Sequence, residues 1–253
     1  MKRVTGVIFL LLGLLFLLPV AATVLFSFLP KGELSLQGYS DLLFDCFVFY
    51  PMFWNSVLYA LAITLVQLVV IIPCAFGFSQ AKFKGKGVLL VFYIVLMMMP
   101  LQVTILPNYI GLRDMNLINT PYGIILPMIF SPFGVVVMHQ YMKNIDGSVI
   151  EAMRLETNSI FRIIFTSVIP QLRVCIFAVI LFVFADCWNM VEQPMLFLKD
   201  DKLKTLSVFI TNAEKYEGAV LFPAAVIFLI PVLILYLFFN ENLEKGLTLG
   251  DLS

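Results

Sequence analysis

Residues 151–170 read EAMRLETNSIFRIIFTSVIP, and this stretch decides how the chain is read. It lies between long apolar runs, yet it carries Glu151, Arg154, Glu156 and Arg162. Across the wider segment 143–169, Val149, Met153 and Ile160 recur at helical spacing with charged residues interleaved. That is an amphipathic pattern. Ser148 stands three residues before Glu151, the spacing of a capping box. Two short helices joined near Glu156 to Ser159 fit the pattern. On the residues alone, a helix lying flat on a membrane surface fits it as well.

Outward from this segment the chain is apolar. It is 61% hydrophobic and 13% charged, where a soluble domain has about 45–50% and about 25%. One water-soluble core cannot hide so much apolar surface. Runs of about 20 apolar residues read as membrane crossings, and six are expected, near 7–29, 54–78, 88–107, 121–142, 170–190 and 219–240. They leave no room for a separate soluble domain, so residues 1–253 are read as one transmembrane unit. The run from Val7 to Leu29 is longer than a signal-peptide core. An uncleaved first crossing is expected, with Ala21-Ala22 leaving cleavage open.

Ten of the sixteen Lys and Arg residues fall on one set of connections: Lys2, Arg3, Lys82, Lys84, Lys86, Lys143, Arg154, Arg162, Arg173 and Lys245. The other set holds Lys31, Arg113, Lys199, Lys202, Lys204 and Lys215. The excess predicts that both termini, the 79–87 turn and the 143–169 segment are cytoplasmic. Net charge is zero, which gives no electrostatic case for nucleic acid. Cys46, Cys74, Cys175 and Cys187 show no paired metal spacing and are read as apolar filler. Pro73, Pro100, Pro107, Pro127, Pro223 and Pro231 lie in or near the apolar runs. Such prolines are tolerated where neighbouring helices or water satisfy the freed carbonyls, which fits a bundle around a cavity as well as simple kinks.

The order Glu151-Ala152-Met153, Glu156, Ser159 and then Pro170 resembles the cytoplasmic EAA coupling loop of carbohydrate-type (maltose-type) ABC importer permeases. Phe53-Trp54-Asn55-Ser56, Met99-Pro100-Leu101-Gln102, Asn119-Thr120, Trp188-Asn189 and Gly246-Leu247-Thr248 are similar, in the same order, to that family's spans and tail. The resemblance implies an all-α fold of type I importer permeases, with six transmembrane helices and cytoplasmic coupling helices. It implies that Glu151, Ala152, Met153, Glu156, Thr157, Asn158 and Ser159 lie in or beside a surface that docks on an ATPase. Thr157 stands where the family has Gly. A β-branched residue resists positive φ, so the turn is expected to move onto Asn158, which tolerates a left-handed backbone better. His139 is expected near a cytoplasmic helix end and not as a metal ligand.

The resemblance also implies partners. They are a second, non-identical permease, an ATP-binding cassette ATPase dimer that holds ATP and Mg, and an extracytoplasmic solute-binding protein delivering cargo to loops 30–52, 108–120 and 191–218. This chain has no G-x-x-x-x-G-K-[ST] phosphate loop, so no cofactor and no catalysis are assigned to it. Polar residues inside crossings are costly and read as functional. Asn55, Gln102, Thr104, Asp186, Trp188 and Asn189 are the candidates for a translocation path. The expected function is import of a sugar or oligosaccharide across the bacterial cytoplasmic membrane, by alternation between inward- and outward-open states. The alternatives are a non-sugar solute such as a phosphate ester, polyamine or peptide, a membrane scaffold without transport, and an integral-membrane enzyme. With one His, no H-E-x-x-H and no G-x-S-x-G, the last lacks a catalytic constellation.

Overall fold

A chain in hydrocarbon must satisfy its backbone hydrogen bonds within itself, and helices do so locally. The computed structural model, which describes residues 2–30, 32–212 and 218–250, follows that rule, and no strand occurs among the described residues. Lys31, Glu214, Lys215 and Glu217 lie outside the described residues, as do the side chains of Lys2, Arg3, Lys245, Leu247 and Thr248. The helices are α1 Lys2–Ser27, α2 Phe49–Gln80, α3 Lys86–Met97, α4 Leu101–Asp114, α5 Pro121–Met128, α6 Pro132–Met142 and α7 Gly147–Glu156. They continue with α8 Ile160–Trp188, α9 Glu192–Phe197, α10 Leu206–Thr211 and α11 Leu221–Gly250. By length and composition five elements can cross a membrane, or six if the bent pair α3 and α4 is one crossing.

Helix α2 is the centre of the bundle. It is apolar all round, so hydrophobic periodicity cannot tell its packed side from its outer side. Its buried stripe runs through Met52, Ser56, Tyr59, Ile63, Gln67, Ile71 and Ala75, at helical spacing and including the polar residues. In a membrane, small and polar side chains mark the packed face, because lipid competes equally for the apolar ones. Helix α2 runs parallel to α5 and α6, since Gln67 meets Met128 and Phe78 meets His139. It runs antiparallel to α8, with Phe53 against Trp188. Helix α11 returns along α8, pairing Phe177 with Phe239 and Trp188 with Phe228. Helix α1 lies outermost against α11.

Three expected crossings differ from those found, and proline accounts for each. The third, expected at 88–107, is not one helix; α3 and α4 meet at 96°. Pro100 is extended (φ −67°, ψ 146°), and a proline also disfavours the helical region for the residue before it. The fourth is interrupted at 129–131. Pro132 has no N–H, so the Met128 carbonyl four residues earlier loses its helical partner. The Gln67 amide Nε2 donates to that carbonyl instead, and Ser131 Oγ caps the restart by accepting from Gly134 N at 3.2 Å. The fifth starts at Ile160, not at 170. Pro170 lies inside it, preceded by a π turn over Ile164–Val168 in which Ile169 N reaches Ile164 O. The wider turn accommodates the missing N–H of Pro170 without ending the helix.

Helices α2 and α6 approach closely at Gly134. A Cβ there would sit 2.3 Å from Cδ1 of Ile71, itself fully buried. Gly134→Ala is therefore expected to lower stability by about 1–3 kcal/mol, the usual range for overpacking. Thermal unfolding of the detergent-solubilised chain measures it.

Candidate functional site

The bundle has two chemically different ends. At one, Lys86 Nζ donates to the Ser79 and Ala81 carbonyls at 3.1 and 3.2 Å, placing positive charge at the C-terminus of α2, where the helix dipole favours it. Gly85 turns the chain at φ +84°. Ser79 also reaches Met142 at the end of α6, so α7 leaves from this same end. At the opposite end Asn119, left-handed at φ 62°, accepts from Lys199 N and Asp200 N at 2.9 Å through Oδ1. There too Asn55 Nδ2 donates to the Lys202 and Lys204 carbonyls at 2.6 and 3.2 Å, and Gly38 packs against the Ala219 carbonyl.

Helix α7 is built to be held on one side only. Its cap is Asp146, whose carboxylate accepts from Ser148 N at 3.0 Å; the Ser148 to Glu151 capping box is not formed. Ser148 is already inside the first turn, so its side chain cannot reach the N-cap position. Asp146 is fully exposed, and the Ser148 backbone bond holds its carboxyl below the usual range. A depressed carboxylate pKa stabilises above the ordinary value and is lost as pH falls through the folded one. The cap is thus intact at neutral pH and fails only in acid. Ile150 is buried and Met153 half-buried against the bundle. The inward pair is therefore Ile150 and Met153, not Val149, Met153 and Ile160. The helix stops at Glu156, which breaks the phase, and Ile160 is exposed.

The outward face carries Glu151, Ala152, Leu155 and Glu156, all exposed, and Leu155 keeps 90% of its surface. After the turn, Phe161 and Phe165 are exposed at 70% and 66%. The turn itself corrects the expectation for Asn158. Among the described residues the non-glycine positions at positive φ are Asn116 and Asn119, not Asn158. Thr157 is extended at φ −151°, a conformation β-branched residues favour. Its Oγ1 accepts from Ser159 N, and Ser159 Oγ in turn accepts from Arg162 N to cap α8. A run of hydroxyl caps replaces the glycine turn.

The translocation-path candidates separate. Thr104 and Asp186 meet on one cavity of about 550 Å3, where the breaks of the third and fourth crossings face each other. Asn189 and Asp186 line an adjoining cavity of about 260 Å3 that continues towards Glu192. Trp188 does not line a path. It is fully buried among Phe53, Phe184 and Phe228, and its indole donates to the Phe228 carbonyl at 3.0 Å. Asn55 fastens the 202–204 segment and does not line the cavity, and Gln102 is exposed outside that lining. The residues not anticipated are Gln67, Asn108, Ser131 and Gln193, which line the larger cavity. Gln67 was detectable as the one amide between Val57 and Phe78, the apolar middle of α2. His139 ends α6, buried against Phe78 at 6.2 Å.

A helical bundle with paired breaks at a cavity that carries Gln67, Thr104, Asn108, Asp186 and Gln193, and a one-sided amphipathic helix at one end, fits a polytopic transport permease. Residues 67–249 match the family described as binding-protein-dependent transport system inner membrane component, and the chain belongs to that family. It is similar to the arabinooligosaccharides transport system permease protein AraQ of Bacillus subtilis, 27% identical over 97% of this chain and 93% of that protein. It is similar also to the sn-glycerol-3-phosphate transport system permease protein UgpE of Brucella abortus, 24% identical over 78% and 71% of the two. In fold it matches a chain of a bacterial ABC transporter involved in the import of the acidic polysaccharide alginate. The TM-score is 0.81 at 20% identity, over 94% of this chain and 96% of that one. The chain is thus a permease subunit of a binding-protein-dependent ABC importer. Such importers in general combine two permeases, an ATPase and a solute-binding protein.

Proposed function

We propose that this permease imports a neutral sugar or oligosaccharide together with a second, non-identical permease. The observation that carries the coupling mechanism is the bare outward face of α7 at the lysine-rich end. In this reading that end and both termini are cytoplasmic, and the face formed by Glu151, Ala152, Leu155, Glu156 and the turn 157–159 rests on the ATPase dimer. ATP and Mg are bound there and hydrolysed by the partner. The end fastened by Asn119 and Asn55 receives the solute-binding protein. Nucleotide and loaded binding protein shift the bundle between inward- and outward-open states through their different affinities for the two.

The name of the AraQ relative supports a sugar, and that of the UgpE relative raises a phosphate ester. The larger cavity favours the former. Asp186 lines it and, among the described residues, no Lys, Arg or His does, so a phosphate dianion would meet a like charge with no cationic partner. The test is the complete importer in proteoliposomes, offered arabino-oligosaccharides and, separately, sn-glycerol 3-phosphate. ATP-dependent uptake of the sugar alone is expected; uptake of the phosphate ester alone would reverse the assignment. Asp186→Asn is expected to leave assembly intact, change the sugar transport rate and let the phosphate ester compete for uptake. An unchanged rate and selectivity would make Asp186 structural.

A further inference from the structure

The Gln67 amide is used at one end only. Its Nε2 is committed to the Met128 carbonyl, which fixes the amide's orientation. Its Oε1 is buried with no hydrogen-bond partner, although the residue is 4% exposed and lines the cavity of about 550 Å3. A buried acceptor without a donor is destabilising, and such groups are rare unless something else supplies the donor. Around the same cavity stand Asn108, Gln193 and Asp186, and Gln193 is 8% exposed with its own amide near only the Met128 sulfur, at 3.9 Å. Hydrogen-bonding capacity therefore exceeds what the chain itself satisfies, and it is concentrated where two crossings lose their helical backbone.

We propose that this cavity is a solute subsite for an uncharged, hydroxyl-bearing cargo, and that Gln67 is its specificity-determining residue. Oε1 of Gln67 accepts a cargo hydroxyl, Asp186 accepts a second, and the amides of Asn108 and Gln193 donate to cargo oxygens. The proline break is what makes this possible: Pro132 frees the Met128 carbonyl, that carbonyl holds Nε2, and the held amide keeps an unpartnered oxygen on a residue of the cavity wall. A solute without hydroxyl donors leaves Oε1 unpaired, which is the kind of penalty that discriminates strongly between otherwise similar ligands. The inference rests on the sugar-import reading above.

The test uses the assembled importer in proteoliposomes, with arabino-oligosaccharide as the probe. Uptake, ATPase activity stimulated by loaded binding protein, and complex assembly are measured together. Gln67→Met and Gln193→Met keep side-chain length and remove the hydrogen bonds; Asn108→Leu removes an amide that makes no bond within the described chain. Each is expected to lower sugar imported per ATP hydrolysed by about tenfold, as loss of one hydrogen bond to the solute implies. Assembly and stimulated ATPase are expected to persist. A merely structural role would move assembly and ATPase activity instead. Should Gln67→Met fail to assemble, the other two variants decide, and unchanged import by both overturns the proposal. A wild-type importer that moves no sugar sinks the underlying reading and the subsite with it; a wild type that moves sugar while all three variants match it sinks the subsite alone.

Discussion

Glu151→Lys is expected to abolish ATP-driven uptake while the chain still inserts and pairs. The side chain is exposed on the outward face of α7, and nothing that builds the helix depends on it. The cap is Asp146 and the inward anchors are Ile150 and Met153. Reversing one charge of a buried interfacial pair costs about 2–5 kcal/mol, more than tenfold in affinity for the partner. Leu155→Asp should act likewise, since burial of a leucine contributes about 1.5–3 kcal/mol and Leu155 is almost fully bare. The measurement is co-purification of the ATPase together with uptake. A helix lying on lipid predicts the opposite sign for Glu151→Lys, because an added cation strengthens attraction to an anionic surface. Normal uptake and normal co-purification would remove the docking assignment.

The second large effect is expected at Trp188. Trp188→Ala should lower stability by about 3–5 kcal/mol, the range for emptying a large aromatic site. The side chain is wholly buried and joins α8 to α2 through Phe53 and to α11 through Phe228. Trp188→Phe keeps most of the packing and leaves the Phe228 carbonyl without the indole N–H, which costs about 1 kcal/mol. Thermal unfolding in detergent reads both. If Trp188 were instead a cargo contact, transport would fall while melting stayed unchanged.

The helical class, the membrane setting and the position of the amphipathic helix α7 were legible in the chain, because they follow from long apolar runs and from a charged amphipathic interruption. The packed faces were not, because helices such as α2 are apolar on every side and lipid supplies no contrast. That is why Trp188 and Asn55 were read as path residues. Both are polar-tipped side chains near a span end, but the indole finds the Phe228 carbonyl and the amide finds the carbonyls of Lys202 and Lys204. Gln67 is the converse. Its meaning depends on Pro132, 65 residues away in the sequence, and the pairing of a missing N–H with a distant amide is visible only in three dimensions. The breaks at Pro100 and Pro132 were open at the level of sequence, since a proline in a span kinks it or breaks it according to what its neighbours can satisfy. The turn at 157–159 was misjudged because hydroxyl caps, not a left-handed residue, close it.

The uninterrupted helix from Ile160 to Trp188 is 29 residues long, and it begins one residue after the Ser159 turn. At 1.5 Å per residue, Asp186 rides about 40 Å along the same rod from the joint with α7. A stiff lever of that kind transmits a tug at its foot beside α7 to the cavity wall without any relay of side chains. Its one soft spot is the π turn ahead of Pro170, so stiffening or loosening those few residues should set how much of each stroke reaches the solute.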